Sequence, residues 1–76
     1  MSQSRDEQLF LRFRLEQLEE LVYYLEDEEK DISGEVVSHV RAEEFTKASM
    51  TAGELDWVRT FRRRIERAIA KRKETN

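Results

Sequence analysis

The sequence predicts an all-α fold, either a small three-helix bundle or a helical hairpin with a broken second arm. Three observations carry this expectation. Glu, Arg, Leu, Lys and Ala dominate the 76 residues and Pro is absent, a composition that favours helix throughout. Leu11, Leu15, Leu18, Val22 and Leu25 recur at alternating spacings of four and three, which lines one helix face with apolar side chains. The two glycines, Gly34 and Gly53, are natural breakers and divide the chain into three.

A first helix is expected over about 4–29. Ser4 is its candidate N-cap, Asp6 and Glu7 suit the positive first turn, and Ser4 with Glu7 has capping-box spacing. Leu9, Phe10, Phe13, Leu21, Tyr23 and Tyr24 lie off the leucine stripe, so this helix is apolar on more than one side. Asp31-Ile32-Ser33-Gly34 reads as a turn. A second helix is expected over about 35–47, where Val36, Val37, Val40 and Phe45, followed by Ala48, give a weaker apolar face. Its valines lower intrinsic helicity. The stretch Ser49 to Glu54 reads as a second break, with Thr51 and Glu54 again at capping-box spacing. A third helix is expected over about 52–73, with Leu55, Val58, Phe61, Ile65, Ala68 and Ile69 on one face and Trp57 beside it. The whole chain, 1–76, reads as one domain.

Charge is segregated. Met1 to Asp31 carries a net −6, Ile32 to Glu54 a net −2, and Leu55 to Asn76 a net +5. Acid at 26–31 opposes the dipole of a helix that ends there. An up-down-up bundle would resolve this by laying that end beside the basic end of the third helix, at 62–73.

Several function classes fall away. Without Cys there is no disulfide, thiolate metal site or Cys nucleophile. The longest apolar run, Leu21 to Leu25, is far short of a membrane span, and the N-terminus lacks a signal core. A cytoplasmic protein without membrane contact is expected. His39 is the single imidazole, and its neighbour Ser38 does not share its helix face. No catalytic residue, small-molecule substrate or cofactor is therefore expected, and the protein is read as a non-enzyme. Glu29 to Val40 has a trace of calcium-loop spacing, but Val40 stands where the bidentate carboxylate should be, so no metal site is expected.

What remains is binding. A chain this short has little core to spare, and oligomerisation is a common remedy. Phe10, Phe13, Leu21 and Tyr24 are the candidate partner-binding residues. The expected function is a small protein–protein interaction module (an adaptor, chaperone-like partner, inhibitor or regulator) that forms a homodimer or holds a heteropartner. The second reading is a nucleic-acid-binding regulator using Arg59, Arg62, Arg63, Arg64, Arg67 and Lys71 on the basic third helix. The low isoelectric point of about 5.2 opposes it. The direction of that basic face, toward Glu26–Asp31 or away, distinguishes the two readings. Leu11-Arg12-Phe13-Arg14 followed by Leu18 to Ser33 also resembles the start of the small Hha-type regulators. The likeness stops at Gly34, and no residue role is carried over from it.

Overall fold

A computed structural model describes residues 10–75. The Ser4–Glu7 cap and Leu9 lie outside these residues. Among them the chain is helical without strands: α1 spans Leu15–Arg41 and α2 spans Phe45–Thr75. The two pack against each other as a hairpin. Glu19, early in α1, meets Lys73, late in α2, and Glu29 meets Arg59 and Arg62, so the helices run antiparallel. At ~1.5 Å per residue the 31 residues of α2 account for most of the molecule's 50 Å length.

The packing seam is a heptad pattern on both helices. In α1 it runs Leu15, Leu18, Val22, Leu25, Glu29, Ile32, Val36, His39; in α2 it runs Ala48, Thr51, Leu55, Val58, Arg62, Ile65, Ile69, Arg72. Every one of these side chains is buried or half-buried. Leu18 and Ile65 are wholly enclosed, as the a and d positions of two helices packing side by side require.

Three expectations need correction. The first helix does not run unbroken from 4 to 29, because Leu11–Arg14 is non-helical. Arg14 is extended (φ −75°, ψ 155°), and its N–H donates to Gln17 Oε1 at 2.8 Å, which starts α1 at Leu15. Asp31–Gly34 is no turn, and Ile32 is a buried seam residue of α1. Ser49–Glu54 is no break either. The Thr51 hydroxyl donates to the Lys47 carbonyl at 2.8 Å, one turn back inside α2, instead of capping a new helix. Both glycines sit within helices, whose seams bury enough apolar surface to override a propensity cost of about 1 kcal/mol each. The described residues therefore form two helices with an unbroken second arm, not separate helices at 35–47 and 52–73.

The actual turn is Ala42–Glu44. Glu43 takes a left-handed conformation (φ 60°), its N–H donates to the Val40 carbonyl at 3.0 Å, and the Glu44 N–H donates to the His39 carbonyl at 2.8 Å. This is a Schellman motif, with Glu where Gly is usual. The dipole conflict disappears with it. The acid at 26–31 lies mid-helix, and the true last turn of α1 carries His39 and Arg41, which suit a C-terminus.

Candidate functional site

The two long edges of the hairpin differ. One edge is ionic. Arg59 Nε donates to Glu29 Oε1 at 3.2 Å, and Arg62 donates to both oxygens of the same carboxylate and to Glu66 Oε1 at 2.7 Å. Lys73 Nζ lies 3.7 Å from Glu19 Oε2. Glu29 is a seam residue with only 13% of its side chain exposed. The hydrogen bond from Arg62 is the largest influence on its carboxyl and holds it below its ordinary value of 4.5, against the opposing pull of burial. The same bond raises Arg62. Glu19, Val22, Tyr23, Glu26, Glu66, Ile69, Ala70 and Lys73 line a shallow depression along this edge.

The opposite edge is aromatic. Phe13, Phe10, Phe61 and Trp57 form a continuous row of rings. The centroids are 6.4 Å apart for Phe13–Phe10, 6.0 Å for Phe10–Phe61, and 5.3 Å for Phe61–Trp57, which stack at 14°. Phe10 is locked over α2 from outside the hairpin. The Arg72 guanidinium donates to the carbonyls of Phe10 and Phe13, and the Phe13 N–H donates to the Phe10 carbonyl at 3.1 Å. Phe13, Gln17, Glu20, Leu21 and Tyr24 line a shallow groove on the same side.

Of the four predicted partner residues, three gather here. Phe13 is 39% exposed, Tyr24 is 61% exposed, and Leu21 is half-buried between them and the core. Phe10 does not belong with them as a free surface. It is 2% exposed and part of the core, because Arg72 draws its backbone onto α2 and its ring into contact with Phe61. Trp57, 64% exposed, is the residue that sequence reasoning passed over. Its signal was the i, i+4 spacing with Phe61, which stacks the two rings along one helix edge.

The predicted nucleic-acid residues divide. Arg59 and Arg62 are held by Glu29, on the acidic stretch of α1. The expected end-to-end pairing of acid and base is thus replaced by a mid-helix pairing, because the helices are antiparallel. Arg64 is half-buried, and both it and Lys71 are engaged in interactions of their own. Arg63 and Arg67 are exposed beside Glu66 and Ala70.

At the hairpin tip, His39 Nδ1 lies 3.3 Å from Glu44 Oε1, and Lys47 Nζ donates to Glu44 Oε2 at 3.0 Å. Lys47 first, then His39, lowers the Glu44 carboxyl. The segment 29–40 is helical throughout and forms no calcium loop, and no cluster of metal-binding side chains occurs among the described residues. Among these residues no helix is long and apolar enough to cross a membrane. No family model matches the chain, the Hha-type regulators included, and neither a curated protein nor a solved structure is significantly similar to it.

Proposed function

We propose that this hairpin is a non-enzymatic protein-docking module, with the aromatic edge as its docking surface and a homodimer or a heteropartner as its assembly. The observation that carries this reading is the row of rings from Phe13 to Trp57, flanked by Tyr24, with three of these aromatic side chains left open to solvent. Exposed apolar patches of this kind are unusual on a monomer and mark interaction sites. Aromatic anchors also dominate binding energy where they are buried by a partner. The ionic edge supports the hairpin itself and leaves the aromatic edge for a partner.

Tyr24→Glu and Trp57→Glu test the reading. Both should leave helicity intact and stability within ~0.5 kcal/mol, while abolishing association measured by light scattering and by cross-linking from a photoreactive residue at 57. Loss of helicity would place those rings in the protomer core and end the reading.

The second reading, nucleic-acid binding, draws support from Arg63 and Arg67, which no acid of α1 holds among the described residues. Arg63→Glu with Arg67→Glu should then weaken binding to a mixed-sequence duplex and reduce its salt dependence. An unchanged titration would discard it.

A further inference from the structure

The aromatic edge is most open at Trp57, whose indole is 64% exposed and stacks by one face on Phe61. The register of the two helices fixes what stands beside it. Glu29 reaches Arg59 and Arg62, so the turns of α1 around 28–35 lie level with Trp57 and Phe61 of α2. Within those turns, Glu28 and Glu35 continue the row of Leu21 at intervals of seven residues, and Asp31 continues the row of Tyr24, so all three fall on the aromatic edge. On α2, Glu54 precedes Phe61 by the same interval. None of these four carboxylates is held by a base among the described residues. The bases nearby are already taken: Arg59 and Arg62 by Glu29, while Arg64 and Lys71, farther along the edge, are engaged within the chain. The charge left to meet a partner around Trp57 is therefore acidic.

We infer that the aromatic edge takes a cationic amphipathic helix of another protein. Its apolar stripe lies along Leu21, Tyr24, Phe61 and Trp57, and Lys or Arg side chains flanking that stripe meet Glu28, Asp31, Glu35 and Glu54. This rests on the reading of that edge as a docking surface. An apolar strip alone would fit any amphipathic helix. The acidic rim selects among them, because complementary charge favours one class of partner and like charge rejects the other. The open face of the Trp57 indole adds a place for a Lys or Arg side chain to lie over the ring, within reach of the same carboxylates. A second copy of this chain is a poor occupant. It brings the same carboxylates to the interface, and its bases at that level are held by its own Glu29, so like charges meet.

Three synthetic amphipathic helices of about five turns test this, identical in their leucine stripe and carrying Lys, Gln or Glu elsewhere. Trp57 is the only tryptophan, so its emission in the full-length chain reports occupancy of the edge, while anisotropy of the labelled peptides gives affinity. The Lys peptide should bind with a blue shift of Trp57 emission, about ten-fold more tightly than the Gln peptide, and the Glu peptide should not bind. Asp31→Asn with Glu35→Gln should weaken binding of the Lys peptide about three- to ten-fold at low salt. Removing as many charges from the exposed side chains toward the ionic edge, by Glu16→Gln with Glu26→Gln, should change it less than about two-fold. Equal loss from the two variants would reduce the effect to net charge and overturn the inference. A Gln peptide that binds as tightly as the Lys peptide would overturn it, and so would no binding by any of the three. Lys-peptide binding without a shift in Trp57 emission would put the peptide elsewhere and likewise overturn it. A free chain that dimerises, and loses the dimer on Trp57→Glu, would give the edge to a second copy instead. Failure of the docking reading is distinguishable from all of these, because Tyr24→Glu or Trp57→Glu would then cost helicity with no peptide present.

Discussion

Glu43 holds a conformation that L-residues with a side chain resist, at φ 60°. The left-handed region costs about 1–2 kcal/mol for a residue with a Cβ, and the Schellman bonds to Val40 and His39 offset it. Glu43→Gly should stabilise the protein by about 1 kcal/mol, read as a higher denaturation midpoint. A lower midpoint would show that the Glu43 side chain contributes more than its backbone costs. Glu29 and Arg62 form a charged pair in the middle of the seam, flanked by Leu25, Ile32, Val58 and Ile65. Glu29→Ala should cost about 1–3 kcal/mol, because it leaves a half-buried guanidinium without its main acceptor. Replacing both with Leu should be close to neutral or stabilising in ΔG. That double variant would lose the pair that fixes helix register, detectable as broadened or duplicated amide resonances. The pair also sets a pH dependence. The Glu29 carboxyl is held below 4.5 by Arg62, so the folded chain favours its ionised form. The resulting stability is fully present above the unfolded-state pKa and is lost as pH falls through the lower folded value. Melting temperature should therefore drop on acidification below about 4.5, and Glu29→Gln should remove part of that drop. An unchanged acid limb in that variant would assign the effect to other carboxylates.

Gly34 and Gly53 are the residues through which the elements were misread. Each looks like punctuation, yet each lies inside a helix, and beyond the local helix backbone nothing stands within 4 Å of the place a Cβ would occupy. Gly34→Ala and Gly53→Ala should each stabilise by about 0.5–1 kcal/mol. Had either glycine served a turn, alanine would destabilise instead. The leucine periodicity did identify one side of the seam: Leu15, Leu18, Val22 and Leu25 are all in it. Continued at the same spacing, it would have reached Glu29, Ile32, Val36 and His39, but a glutamate at a seam position interrupts the apolar signal. On α2, Leu55, Val58, Ile65 and Ile69 were legible for the same reason, whereas Arg62 and Arg72 belong, by local pattern alone, to the basic stretch at 62–73. Their role depends on partners distant in sequence, the Glu29 carboxylate and the carbonyls of Phe10 and Phe13, which local pattern does not contain. The aromatic edge was half legible. Phe13, Leu21 and Tyr24 stand off the leucine stripe, but the burial of Phe10 and the pairing of Trp57 with Phe61 on the same side arise only once α2 folds back.

At the scale of the whole molecule, the hairpin joins a strongly acidic helix to a basic one through three residues. The Ala42–Glu44 turn therefore orders its own folding. Pairs close to the turn are near in sequence, and the distance grows steadily toward the open end: 30 residues separate Arg59 from Glu29, and 62 separate Arg72 from Phe10. Loop-closure entropy rises with that separation, so the helices should zip from the tip, each closed layer shortening the loop that the next must close. Reversal would begin at the other end, where Arg72 holds Phe10 and Phe13. Amide protons of α1 should exchange fastest near Leu15 and slowest in the middle of the seam, around Leu25 and Ile32. Arg72→Ala should speed exchange at the Leu15 end alone. The aromatic row starts at that same end with Phe13 and runs back to Phe61, beside the mid-helix Glu29–Arg62 pair, so whatever docks along it would also act as a clasp on the last step of closure.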